Sequence, residues 1–377
     1  MKISCKQENL AKGLSIVGRA VSPRSTLPVL GNVLLAVDNG RLKLSATNLE
    51  IVITCWIGAN VQESGATTVP ARTFSELINA LPAGDVHLTL NKTTETLHVS
   101  CEKVQANVKG ISADEFPVIP EPDQENRVRM EPAVLKRVIA QVAFAAATDD
   151  SRPSLTGVST TVEGNRIMMA ATDGFRLSVR SAHIAGYVEK PFNIIIPARA
   201  LNEVGRILSD DLEAVYISMR SGRNQIIFDM DNAVLVSQLV DGKFPDYAPI
   251  IPQRHNTRTV LNTAEFAKAC RTADIFARES SNTARVAVEP GDGLSAAYAT
   301  VAANSKETGD NTATVGANVE GMPIEIAFNV KFMSDVLSVI DTPQVALETT
   351  SANEPGVLKP VGDNDFVHII MPMNFNR

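Results

Sequence analysis

The sequence predicts an α+β fold in which one unit of about 125 residues, two helices on antiparallel sheet, is repeated three times in tandem. Three observations predict it. A hairpin corner occurs twice at that spacing, a strand-to-helix junction occurs three times, and a Phe-Pro closure occurs twice.

The corner is clearest at Met168–Ser178, where apolar residues lead into Thr172-Asp173-Gly174 and an alternating Phe175-Arg176-Leu177-Ser178-Val179 follows. Asp tolerates left-handed geometry and Gly meets it without steric cost, so this reads as strand, tight turn, strand. A fainter copy lies at Leu44–Glu50, with Ala46 standing 125 residues before Ala171. The junction Val69-Pro70-Ala71-Arg72 returns 127 residues later as Ile196-Pro197-Ala198-Arg199, and a third time as Phe328-Asn329-Val330-Lys331. Apolar residues at helical spacing follow each: Phe74, Leu77, Ile78, Leu81; then Leu201, Val204, Leu208; then Met333, Val336, Leu337, Ile340.

A second helix opens each unit. It carries Leu10, Leu14, Val17 and Val21 in the first, Leu135, Val138, Ile139 and Val142 in the second, and Phe266, Ala269, Ala273 and Phe276 in the third. The six helices are expected at 8–21, 71–81, 131–147, 198–208, 263–277 and 330–340. Between them lie short alternating stretches such as Val33–Val37, Leu42–Ser45, His87–Leu90, Leu97–Cys101, Ile226–Met230 and Val234–Leu239, punctuated by Gly, Asn and Asp. Phe116-Pro117 closes the first unit and Phe244-Pro245 the second, each before a Pro-rich linker. The expected domains are therefore 1–122, 123–253 and 254–377.

Length alone allows two or three domains, and a hydrophobic fraction of 44% suits a globular chain. No apolar run reaches the roughly 18 residues that span a bilayer, and the start of the chain has no signal-peptide core, so the expectation is a cytosolic protein. Cys5, Cys55, Cys101 and Cys270 are widely spaced and read as small buried apolar residues. No phosphate-binding loop, Gly-x-Ser-x-Gly elbow or metal-ligand spacing of the five histidines is present. The expectation is no catalytic residue, no metal and no cofactor.

Net charge is −7, which by itself argues against a nucleic-acid binder. Its distribution is less simple, because the six predicted helices hold more basic than acidic residues while strands and loops hold the acidic excess. Chance accounts for a difference of this size as well as a helical face turned toward a polyanion does.

Four motifs give a sharper reading: Arg24-Ser25-Thr26-Leu27-Pro28-Val29-Leu30, Ala171–Leu177, Asp241-Gly242-Lys243-Phe244-Pro245-Asp246-Tyr247 and Met371-Pro372-Met373. Over its full length and in this order the chain resembles the bacterial sliding clamps, the beta subunits of DNA polymerase III. The resemblance implies a non-enzymatic homodimer whose six similar domains form a ring around duplex DNA, gripping it without sequence preference and conferring processivity on the replicative polymerase. It implies DNA-facing roles for Arg24, Arg72, Arg152 and Arg199. It implies a dimer seam joining Ala106 and Val108 of one subunit to Ile275 and Phe276 of the other. Between the second and third domains it implies a pocket for short peptide motifs of the polymerase and the clamp loader. That pocket would comprise Leu155, Thr172, Gly174, Phe175, Arg176, Leu177, Pro245, Ile250, Ile369, Ile370, Met371, Pro372 and Met373. By strand alternation Ile369 and Ile370 cannot both point into it. The chain departs from the family's usual Met-Pro-Met-Arg-Leu ending, with Asn374 and Phe375 in place of the basic and aliphatic residues. Two other readings stand beside this one: a monomeric three-repeat peptide-binding scaffold, and an enzyme using the Thr172-Asp173-Gly174 corner. The second lacks a partner carboxylate, His or Lys at a defined spacing.

Overall fold

The computed structural model describes residues 1–22, 27–122, 127–149, 151–220, 224–292 and 295–374. Among them are six α-helices: α1 Gln7–Val17, α2 Ala71–Ala80, α3 Pro132–Val142, α4 Ala198–Ile207, α5 Thr263–Ala277 and α6 Val330–Leu337. Each lies where periodicity places one, but three end early. Gly18 and Ala143 begin single 3-10 turns that take over from α1 and α3. In α6 the hydroxyl of Ser338 donates to the Asp335 carbonyl (2.6 Å) and closes the helix. Asn262 and Asn329 cap α5 and α6, accepting from the backbone N–H of Glu265 and of Lys331 and Phe332.

The chain gathers into two compact units, residues 1–135 with 203–239, and residues 136–202 with 240–377. The first holds an antiparallel run ordered Ala66–Pro70, Asn32–Asp38, Arg41–Thr47, Ile51–Gly58, Ala233–Gln238, Gln225–Asp229, Val215–Arg220 and Arg127–Met130. It also holds a five-stranded sheet ordered Asn60–Glu63, Lys2–Lys6, Asp85–Asn91, Thr96–Cys101 and Val104–Lys109. In the second unit Gly157–Thr172 pairs with Arg176–Pro197, which pairs with Phe366–Ile370 and onward through Gly356–Pro360 and Gln344–Thr349 to Thr257–Asn262. Ile324–Asn329, Thr283–Glu289, Tyr298–Ser305 and the first half of Gly309–Gly321 form a further sheet.

The units do not follow the repeat boundaries, because sheet runs across each joint. Ile51–Gly58 of the first repeat pairs with Ala233–Gln238 of the second, and Arg176–Pro197 of the second with Phe366–Ile370 of the third. Helices cover one face of these sheets. In the third repeat α5 and α6 bury Phe266, Cys270, Val330, Met333 and Val336 against Val286, Val301, Ile326 and Phe328. Each large side chain so removed from water stabilises by about 1.5–3 kcal/mol. α1 packs so closely on the sheet that a Cβ on Gly13 would lie 2.6 Å from Leu44 Cδ1. The four cysteines are free and buried, and burial pushes the Cys5, Cys55 and Cys270 thiols up to about 12, which makes them inert. Among the described residues no helix is long and apolar enough to cross a membrane.

Candidate functional site

The corner at Thr172 is held by its own side chains. Thr172 Oγ1 donates to the Arg176 carbonyl (2.6 Å) and accepts from the Gly174 N–H (3.0 Å). Asp173 Oδ1 accepts from the N–H groups of Phe175 (2.9 Å) and Arg176 (3.0 Å). Gly174 sits at φ +93°, where an L side chain is strained. The Arg152 guanidinium fills the space above it: Nη1 lies 2.9 Å from where a Cβ would stand, and Nη2 donates to the Asp173 carbonyl (2.8 Å). The third repeat then zips onto the corner, Met371 N–H donating to the Phe175 carbonyl (2.8 Å).

Beside this corner is a hollow of about 520 Å³. Leu155, Leu177 and Ile369 line it from buried positions, and Phe175, Ile250 and Met371 stand exposed around it with Pro245. Thr172, Gly174 and Arg176 complete the predicted set that the structure brings together. Three predicted residues sit elsewhere. Ile370 is turned by the two-residue period of its strand to the opposite face and packs in the third repeat's core. Met373 has already left the hollow. Its N–H donates to the Ala327 carbonyl (2.9 Å) and its sulfur accepts from Thr283 (3.5 Å), and Pro372 is the half-buried link between the two places. Lys243, Ser154 and Arg152 line the hollow without having been expected there. Lys243 lies inside the quoted Asp241–Tyr247 motif and Ser154 beside Leu155, so their neighbourhood was the available signal. For Arg152 the resemblance implies a DNA-facing role, and the structure places its side chain at the hollow.

Beneath the corner Arg176 is largely buried, and each of its three guanidinium nitrogens is engaged. Nε meets Asp173 (3.0 Å), Nη1 meets Asp335 (2.6 Å), Nη2 donates to the Phe144 carbonyl (2.8 Å), and the guanidinium lies 4.3 Å from the Phe332 ring centre. His368 shares a 2.6 Å hydrogen bond with Ser178 and stacks on Phe144. Complete burial, and secondarily the nearby Arg176 charge, lower its pKa to about 3, so it is neutral at physiological pH. Other cations of the second repeat also meet acids of the third: Arg137 pairs with Asp341 and Asp363, Arg180 with Asp363, and Arg166 with Asp365. Burial alone would raise the Asp363 carboxyl, but the Arg180 hydrogen bond and both guanidinium charges hold it below the usual range.

The domain profiles of the DNA polymerase III beta subunit match in order: the N-terminal domain over 1–120, the central domain over 129–246 and the C-terminal domain over 248–374. The chain belongs to the DNA polymerase III beta subunit family. The beta sliding clamp of Staphylococcus aureus is 32% identical over 382 aligned positions, covering 99% of each chain. The sliding clamp of Bacillus subtilis superposes with a TM-score of 0.92 at 28% identity, covering 100% of this chain and 99% of that one. A Pseudomonas aeruginosa sliding clamp, solved bound to griselimycin, gives 0.91 at 28% identity with full coverage of both.

Arg72 on α2 and Arg199 on α4 are exposed, Arg72 being paired with Glu76 (2.9 Å). Arg24 lies outside the described residues. Ile275 is 59% exposed on α5, whereas Phe276 is half-buried against its own repeat's core. Val108 is only 6% exposed, because Val104, Ala106 and Val108 share the core face of the five-stranded sheet opposite Cys101, Val99 and Leu97. Val108 is thus already covered by its own repeat, and the exposed apolar residue of that edge strand is Val104.

Proposed function

We propose that this sliding clamp acts as a head-to-tail homodimer that closes around duplex DNA in the bacterial cytoplasm and holds the polymerase and the clamp loader through the hollow at Thr172–Leu177. Sliding clamps are processivity factors rather than enzymes in themselves, and the fold supports tethering: no group here needs to react.

The repeated joint carries this reading. In both joints of the chain the last strand of one repeat pairs with the strand after the hairpin corner of the repeat before it. Two strands of those classes remain over. Val104–Lys109, the last strand of the first repeat, ends the five-stranded sheet, and residues 309–316 of the third repeat pair with Tyr298–Ser305 on one side. Pairing these two edges between copies would repeat the internal joint and cover both of them. The contact is heterologous, and two copies of three repeats give six such joints. Ile275 and Val104 supply exposed apolar surface for it. For DNA, Arg24, Arg72 and Arg199 serve as phosphate neighbours, giving a salt-screened and sequence-blind attraction while topology provides retention. Arg152 contributes to the hollow instead.

Light scattering tests the assembly. The wild type should show twice the 40.4 kDa subunit mass at micromolar concentration, and Ile275→Asp, a change at an exposed site, should show one subunit with unchanged melting. A wild-type monomer would overturn the ring and leave the peptide-binding scaffold.

A further inference from the structure

The joint between the second and third repeats is filled by guanidinium groups. Arg137 of α3 meets Asp341 (2.8 Å) and Asp363 (3.1 Å), Arg180 meets Asp363, and Arg166 meets Asp365 (2.6 Å). The joint between the first and second repeats has the same backbone and other side chains. Trp56 N–H donates to the Asn232 carbonyl (3.0 Å) as Ser181 N–H does to that of Asp365 (2.8 Å), which aligns the two turns. Arg41 then reaches Asn232 (3.0 Å) as Arg166 reaches Asp365. The other two arginines have no counterpart. Lys12 stands two residues past Leu10 as Arg137 does past Leu135, and Cys55 four residues past Ile51 as Arg180 does past Arg176. Lys12 forms no ion pair among the described residues, and Cys55 Sγ donates to the Gly13 carbonyl.

Where those guanidinium groups are missing there is a groove of about 930 Å³, within the range of ligand sites. It runs between α1 and residues 209–216, with Ile16, Trp56, Ile57, Leu212 and Tyr216 half-buried along it. Six charged residues line it, four of them acids. Glu213 is paired with Arg129 (3.5 Å), and the Arg127 guanidinium lies 3.9 Å from the Tyr216 ring centre. Asp211, Asp229 and Asp231 meet no Lys or Arg at ion-pair distance among the described residues. Burial pushes the Asp229 carboxyl up, and the Asp231 N–H and the Arg127 charge offset this only in part. Carboxylates without a cation beside apolar walls favour a ligand that carries positive charge on an apolar body. The second joint shows which cation fits such a place: a guanidinium seated between a helix and an acidic turn, its planar fork reaching more than one oxygen.

We propose that the groove at the first joint docks a basic segment of a partner protein. An arginine of that segment takes the place that Arg137 and Arg180 hold in the second joint, and its apolar neighbours lie against Trp56 and Leu212. The groove shares no lining residue with the hollow at Thr172–Leu177.

Trp56 is the only tryptophan of the chain, so its emission reports the groove directly. The test titrates full-length protein at low salt with the acetylated, amidated peptide Ala-Leu-Arg-Leu-Ala and with peptides carrying Gln or Glu in place of Arg. The Arg peptide should give a saturable change in Trp56 emission, with a dissociation constant on the order of 0.1–1 mM. The Gln peptide should bind about three- to tenfold more weakly, the Glu peptide more weakly still, and added salt should narrow the difference. Asp211→Asn with Asp231→Asn, both at exposed positions, should remove the preference for Arg at unchanged melting temperature. If the double variant melts lower, Asp211→Asn alone should reduce the preference, since that carboxylate has no partner to lose. Equal binding of the three peptides overturns the inference, as does a preference that survives the double variant. So does calorimetric binding that leaves Trp56 emission unchanged, or the absence of a saturable change with any peptide. None of these outcomes bears on the ring or on the hollow, whose tests are separate.

Discussion

The corner at Thr172–Arg176 and the corner at Thr47–Ile51 share one backbone and differ in what they can do. Thr47 Oγ1 donates to the Ile51 carbonyl (3.0 Å) and accepts from the Leu49 N–H (3.0 Å), as Thr172 does with Arg176 and Gly174. Asn48 accepts from Glu50 and Ile51 as Asp173 does from Phe175 and Arg176. Even the joint is copied: Gln238 N–H donates to the Glu50 carbonyl as Met371 N–H does to that of Phe175. The side chains then diverge. Leu49 stands where Gly174 has none, Ile51 where Arg176 is, and, by strand register, Leu235 and Ile53 where His368 and Ser178 are. Repetition preserves the hydrogen-bonded frame, and a few substitutions on it replace apolar side chains at the joint by polar and charged ones.

The difference should be largest at the buried cation. Removing Arg176 strands one oxygen of Asp173 and the Phe144 carbonyl near the buried guanidinium site and leaves Asp335, whose side chain is 35% exposed, without its partner. Arg176→Ala should therefore lower stability by about 3–5 kcal/mol. At the equivalent position Ile51→Ala creates only an apolar cavity, nearer the low end of the roughly 2–5 kcal/mol of such changes. Urea midpoints of the two variants separate the cases. Adding Asp335→Ala should recover part of the loss in the Arg176 variant, and equal losses with no recovery would mean that the ion pairs add nothing to the joint.

How much of this was legible in the sequence follows from the same contrast. The Ala-Thr-Asp-Gly and Ala-Thr-Asn-Leu strings betray the repeated corner because Thr and Asx have local work there, so the turn was readable from spacing and residue type. So were the buried faces of all six helices. The partners of Arg176 were not, since Asp335 lies 159 residues away and Phe144 offers only its carbonyl. The depth of the two adjacent isoleucines was readable only in part: alternation says that one of Ile369 and Ile370 leaves the hollow, and the register decides that it is Ile370. An edge strand's apolar face belongs first to its own core, so Val108 is covered by its own repeat and Val104 is the exposed apolar residue of that strand. That a Gly makes room for Arg152 beside the hollow was not readable, because an Arg in sequence does not show which backbone it lies against.

A smaller difference should appear with pH. His368 is neutral and buried, with its pKa lowered from 6.5 to about 3. Between those values the unfolded chain binds a proton that the folded protein refuses, so the folded state is favoured above pH 6.5 and loses ground as pH falls. The loss approaches about 1.4 kcal/mol per pH unit. Asp363 acts in the same direction, since its pKa is also lowered, but only once the pH approaches the ordinary Asp value of 3.8. The interval from pH 6.5 to 4.5 therefore isolates the histidine. His368→Leu, which imitates Leu235 of the other joint, should flatten the urea midpoint across that interval. A wild-type profile already as flat as the variant's would show that water or a proton reaches the ring in the folded state.

The smallest expected effect concerns the third residue of each corner, Leu49 in one and Gly174 in the other. Leu49 holds φ +77°, a conformation costing a non-glycine residue about 1–2 kcal/mol, and it leaves its side chain 53% exposed in return. Leu49→Gly removes that strain, gives up little buried surface, and loosens the unfolded chain by about 0.5–1 kcal/mol. The sum is a gain of about 0.5 kcal/mol, visible as a small rise in urea midpoint. Gly174→Leu runs the exchange backward with an added obstacle, because its Cβ would meet Arg152 Nη1 at 2.9 Å and the guanidinium would have to swing away. It should cost about 1–2 kcal/mol and weaken peptide binding by filling the hollow, while Leu49→Gly should leave that binding unchanged. If both substitutions destabilise equally, the left-handed turn is not what separates the two corners, and the hollow owes its existence to the cations around it rather than to the missing side chain.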